Sequence, residues 1–202
     1  MKIKLIAALL AALALIFLPD WGDRYPVGTS YDFPSIEGLE HEDAQKALEI
    51  PQTEIEKMST AALLETYLNY PLKRDMFLRN TFSSGFGLLQ GRGIGLDELM
   101  ERDDLCGAVY SRYIQLYPTV MRKVEDGSHI YDDATEDFMK LTCLEVLAAH
   151  MDLDFTDKKD ARLIREIERK DALYKESDTN FRGMSAYFWT LKDLEYKSIY
   201  RQ

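Results

Sequence analysis

Histidine is the first residue type to test for acid–base or metal chemistry, because its ring changes charge near neutral pH. The chain has three, His41, His129 and His150, and none belongs to an H-E-x-x-H run. Glu145 stands five residues before His150, a spacing that does not bring the two onto one helical face. The histidines therefore read as solvated or capping residues. Asp152-Leu153-Asp154-Phe155-Thr156-Asp157 begins like a calcium loop, with oxygen side chains at positions 1, 3 and 5. Position 6 needs glycine and is Asp157; position 12 needs a bidentate glutamate and is Leu163. The stretch reads instead as a turn joining two helices, with Thr156 as the cap of the second. Gly85-Phe86-Gly87 and Gly91-Arg92-Gly93-Ile94-Gly95 look like phosphate loops, but no strand precedes them and no G-K-[ST] follows. No G-x-S-x-G occurs, so no nucleophile elbow is expected. Asp132, Asp133, Glu136 and Asp137 form a carboxylate cluster that reads as a solvated face, since paired catalytic acids sit across a cleft and not along a chain. Tyr187-Phe188-Trp189 could stack on a sugar ring. Three consecutive helical residues point three ways, however, so at most one or two share a surface and core packing is the main expectation. No catalytic residue, cofactor or metal ligand is assigned, and an enzyme is the less favoured reading.

Cys106 and Cys143 are the only cysteines, too few for a zinc cage or a disulfide-dense scaffold. Each lies on the apolar side of a periodic helix. If those helices pack antiparallel, a bridge can form, closing a loop of about 37 residues and contributing roughly 3–4 kcal/mol. Two unpaired buried thiols are the other reading.

These residues have to be positioned by something, and the composition bounds what. Thirty-five acids against twenty-five bases give a formal charge of −10. An acidic surface of that size repels phosphate, so nucleic acid is excluded as a partner, as is a bare anionic membrane. A hydrophobic content of 46% is enough to bury a core. Residues 5–18, LIAALLAALALIFL, follow two lysines and match the charged and apolar regions of a secretory signal. The run is shorter than a membrane span. We expect a signal peptide or signal anchor over 1–18, an irregular tether over 19–36 and one α-helical domain over 37–202. The localisation is then secreted, periplasmic or cell envelope, with membrane contact only through residues 5–18 if they stay uncleaved.

From residue 37 the helical period dominates and no alternating run is long enough for a sheet. Helices are expected over 37–49 with Leu39, Ala44 and Leu48 inward, over 51–58 starting at Pro51, and from a Ser59 or Thr60 cap to Pro71. Short helices follow at 72–79, 81–90 and 96–100. Longer ones run over 103–117, ended by Pro118, then 133–151, Thr156 to about 175, and 185–200 with Phe188, Leu191, Leu194 and Ile199 inward. The helix at 133–151 is apolar around most of its circumference and belongs at the centre. The fold class is all-α, an irregular bundle or a helical-repeat-like stack of short antiparallel helices.

Between Ile50 and Asp104 the punctuation recurs in a definite order: Ile50-Pro51, Ile55, Met58-Ser59-Thr60, Leu63-Leu64, Thr66 and Leu68-Asn69-Tyr70-Pro71-Leu72. It continues with Gly85-Phe86 and then Gly95-Leu96-x-Glu98-Leu99-x-x-Arg102-x-Asp104. This pattern resembles an uncharacterised family of exported, all-helical proteins of anaerobic gut bacteria. Ile94 stands where the pattern usually has asparagine, and Leu105 where it has alanine. The resemblance implies an exported helical domain and no activity. Each motif residue also has a structural reading. Pro51 starts a helix, Asn69-Tyr70-Pro71 ends one, Gly95 permits a tight turn, and Glu98 and Arg102 pair across one helical turn. If partly buried, Arg102 could also clamp a loop through Asp104 or another carboxylate.

The expected function is a non-enzymatic interaction or scaffold domain of the cell envelope, with a protein partner whose identity the sequence does not give. The alternatives are a glycan- or small-ligand-binding module and, less favoured, a carboxylate-dependent hydrolase.

Overall fold

The computed structural model describes residues 28–125, 136–176 and 186–200. The export segment 5–18, the first half of 19–36 (residues 19–27), the turn at 126–128, His129, Asp132, Asp133 and the loop 177–183 lie outside the described residues. The chain is all-α: no strand occurs among the described residues. The first elements are α1 (His41–Ala47), α2 (Gln52–Ile55), α3 (Thr60–Asn69), a 3-10 segment (Lys73–Leu78), α4 (Phe82–Gln90) and α5 (Leu96–Met100). Longer helices follow: α6 (Leu105–Glu125), α7 (Glu136–His150), α8 (Lys158–Glu176) and α9 (Ala186–Tyr200).

α7 is the centre, as its sequence requires. From Met139 and Leu141 through Ala149 its side chains are buried all round, which is stable only when neighbours cover every side. Those neighbours are α3, α4, α6 and α9, and α8 packs on α6. One contiguous core runs from Leu48 and Ile50 through Tyr67 and Phe86 to Leu163, Ile167 and Tyr187. Residues 28–36 carry no regular structure and lie along α3, with the Tyr31 amide donating to Thr66 Oγ1 at 2.8 Å and Phe33 edge-on to Tyr70 at 5.6 Å.

Glu145 is the acid that this centre must neutralise. It is fully buried and accepts from the Tyr113 hydroxyl at 3.0 Å, the Ala186 amide at 2.9 Å and the Lys170 ammonium. One carboxylate thereby ties α6, α8 and α9 to α7. The cost of burying it is offset only because its lone pairs are taken. A second buried acid, Glu65 on α3, faces the Arg112 guanidinium of α6 at 2.6 Å.

Several boundaries differ from the sequence expectation. The first helix starts at His41, leaving Leu39 outside it and 46% exposed. Pro51 is the residue before α2 and not its first member. Residues 73–78 wind as a 3-10 segment. Pro118 does not end α6, which runs on to Glu125. Proline removes the donor to the Ile114 carbonyl and crowds it, but Pro118 and Thr119 face solvent, where water can satisfy that carbonyl. Asp157 and not Thr156 caps α8, accepting from the Lys159 amide at 2.7 Å. Leu191, expected inward, is exposed because α9 buries the stripe of Ala186, Tyr187 and Thr190 instead.

Candidate functional site

The residues picked from the sequence mostly hold the frame. Ser59 caps α3 and accepts from the Ala62 amide at 3.2 Å. Asn69 is the last residue of α3, and Tyr70 after it is buried before exposed Pro71 turns the chain. Gly95, at φ 78°, sits where an L side chain is strained, and a Cβ there would press on Leu63 at 3.0 Å. Arg102 pairs with Glu98 at 2.9 Å and donates to the Met58 carbonyl at 3.3 Å. Asp104 accepts from the Thr60 hydroxyl at 2.5 Å, while the carboxylate that Arg102 pairs with is Glu98. Ile94 and Leu105 are both buried in the core.

Both cysteines are free thiols. Their neighbours differ, with the Cys143 thiol beside the Tyr67 hydroxyl and the Cys106 thiol beside Asp160. Burial pushes each up to about 12, so neither is a nucleophile near neutral pH. The histidines are placed apart. His41 is at the surface 3.5 Å from Asp75, which also holds the buried Arg92 at 3.1 Å. His150 stacks on Phe86 at 4.1 Å and faces the Val146 carbonyl through Nδ1 at 2.9 Å. Asp154 turns inward on its own loop, accepting from the Thr156 amide and hydroxyl, both at 2.7 Å; the hydroxyl first and then the amide hold its carboxyl below the usual range. Among the described residues no group of three His, Cys, Asp or Glu side chains could hold a metal ion. Burial pushes the Glu136 carboxyl upward, but the Lys73 ammonium at 2.7 Å and then Lys140 hold it below the usual carboxylate range.

A concave surface lies where the corner between the 3-10 segment and α4 faces α9. Two features of the sequence build it. Thr81 caps α4 by accepting from the Ser84 amide at 3.1 Å. Gly85 lets α4 approach the preceding segment so closely that a Cβ would lie 2.2 Å from the Met76 carbonyl oxygen. The corner is pinned from below by Phe86, buried edge-on to Tyr67 at 6.4 Å. Above it opens a recess of about 300 Å³ with Met76 in its lining. Phe77 and Phe82 meet edge to face at 6.1 Å on one wall. Trp189 of α9 forms the other, 47% exposed. The polar lining is Arg79, Asn80, Thr81 and Asp193. A second, more open recess continues past Arg79 and Asn80 to Leu78, which is 80% exposed. The Lys192 ammonium lies over the Trp189 ring at 5.5 Å.

Of this groove the sequence pointed only to Trp189. Phe77, Arg79, Asn80, Phe82 and Asp193 went unremarked, because the two walls are more than a hundred residues apart and no spacing links them. The available signal was local: Phe77-Leu78 beside Arg79-Asn80, apolar residues next to polar ones in a short connection. The Tyr187-Phe188-Trp189 triplet divides as helical geometry demands, into a buried tyrosine, a half-buried phenylalanine and an exposed tryptophan. Comparison with models of known families, with curated proteins and with solved structures finds no match.

Proposed function

We propose that the chain is an exported, non-enzymatic interaction domain of the cell envelope, an irregular bundle of short helices that contacts its partner through the groove between Phe77–Phe82 and Trp189. The observation that carries this is a division of labour among side chains. Glu145, Glu65 and Asp75, three acids that the fold shields from water, are each engaged by a cation, as is the more exposed Glu136. Two of the exposed large apolar side chains, Trp189 and Leu78, stand at a concavity, one on its wall and the other on its continuation. Rings beside convergent polar groups are the anatomy of a binding site. The two lysines and the apolar run of residues 2–18 support export.

Two experiments test the reading. Residues 1–36 fused to a reporter that works only outside the cytoplasm should give activity, which Leu9→Arg with Leu10→Arg should abolish; cytoplasmic retention of the unaltered fusion defeats the export half. In the native host, a benzophenone side chain at position 78 should form adducts, while one at exposed Phe155, on the loop before α8, should not. Adducts from position 155 alone defeat the groove half.

A further inference from the structure

We infer that the groove is a carbohydrate subsite, taking one or two pyranose rings of a neutral glycan with a sugar face on the Trp189 indole. The inference rests on the groove being the binding surface and names its ligand class. Four observations carry it. The first is size: a recess of about 300 Å³ is at the small end of ligand pockets, which span roughly 300–1,000 Å³. The second is the access of the indole. Lys192 rests its ammonium on the ring at 5.5 Å, so that a π-face is reachable by a group carrying partial positive charge. The C–H face of a pyranose is such a group, and the flexible lysine stem can give way to it.

The third is the polar set. Arg79 is a planar fork of donors, Asp193 a pair of acceptors and Asn80 one of each. A ring bearing neighbouring hydroxyls donates and accepts at adjacent atoms, so it matches forks of both kinds at once. The fourth is charge. Arg79 and Asp193 both line the groove and Lys192 lies on its indole, while the chain as a whole is at −10. A phosphorylated or sulfated ligand has to approach through that net acidic field and pass Asp193, whereas a neutral sugar meets neither repulsion.

The test is titration of the purified chain with neutral gluco-, galacto-, manno- and xylo-hexasaccharides, followed by tryptophan emission. The chain has two tryptophans, Trp21 and Trp189, so the Trp21→Phe background leaves Trp189 as the reporter. At least one oligosaccharide should saturate the signal, and calorimetry should give the same Kd. By calorimetry, Trp189→Ala should weaken binding at least tenfold and Trp189→Phe by less, with Asn80→Ala and Asp193→Ala each weakening it about threefold to tenfold. Asn80, Trp189 and Asp193 are at the surface or half-buried, and an unchanged thermal midpoint verifies folding. Silence of the whole panel at millimolar concentration overturns the carbohydrate assignment. If position 78 then cross-links to protein in the host, the groove reading stands without it; if neither response occurs, both fail.

Discussion

Replacing Glu145 probes the joint that holds four helices together. Glu145→Leu removes the carboxylate from the Lys170 ammonium, the Tyr113 hydroxyl and the Ala186 amide, in a place where all of them are shielded from water. Breaking a buried ion pair from one side costs about 3–5 kcal/mol, and each neutral donor stripped of a buried acceptor about 1–3 kcal/mol. These losses overlap, so an overall destabilisation of about 4–6 kcal/mol is expected, a large fraction of the roughly 5–15 kcal/mol that holds a domain together. Glu145→Leu with Lys170→Met should recover about 2 kcal/mol or more relative to the single change, because no ammonium is then left in the interior. Urea unfolding followed by far-ultraviolet circular dichroism measures this as the shift of midpoint at constant slope. The reasoning is refuted if Glu145→Leu costs less than 1 kcal/mol, or if the double variant is as unstable as the single one.

Further outcomes follow from the same structure. Pro118→Ala should stabilise the chain by on the order of 1–3 kcal/mol, since an exposed interior helical proline is replaced by the best helix former; urea midpoints decide it. Asp157→Ala should cost about 1 kcal/mol by removing the α8 cap that accepts from the Lys159 and Asp160 amides. Gly85→Ala should cost at least about 2 kcal/mol, because its Cβ would meet backbone at Met76 and not the end of a flexible side chain; a variant as stable as the parent would contradict the close approach. Stability should also fall as pH rises from about 9 towards 12. Both thiols are pushed up to about 12 in the folded chain, so the folded state keeps protons that the unfolded state releases from about 9 upward. Thiol titration of the unfolded, unreduced protein should give two free thiols; none would show that a bridge forms.

The parts of the fold that were legible are those governed by local rules. Ser59 and Gly95 mark helix ends because one satisfies a backbone amide and the other takes a positive φ, while Asn69 is the last residue of α3, its side chain turned to Glu65. The centrality of α7 was visible for a similar reason, since a helix apolar all round has only one stable location. What was not legible depends on solvent exposure or on distant pairing. Pro118 would have ended α6 had its carbonyl partner faced the core. Leu191 looked apolar and inward, yet the buried stripe of α9 is set by Thr190, whose hydroxyl donates to the Ala186 carbonyl at 2.7 Å and so hides its polarity. Glu145 carried a readable signal, a single acid inside Cys143-Leu144-Glu145-Val146-Leu147, which can be buried only with a cation. The identity of that cation, Lys170, depended on how α8 docks. The groove was least legible of all, since Phe82 and Trp189 become neighbours only through the packing of α4 and α9 around α7.

Cysteine protection on intact cells tests both export and the groove in one measurement. Leu78→Cys places a thiol on the groove's continuation and Phe155→Cys places one on the loop before α8, at positions 80% and 66% exposed. Labelling by a membrane-impermeant maleimide is compared between cells and purified protein, with the unsubstituted chain as background. The account predicts equal labelling at 155 in both settings, and labelling at 78 that is full in the purified protein and suppressed on cells. Equal labelling at 78 in both settings would contradict an occupied groove, and no labelling of either site on intact cells would contradict export.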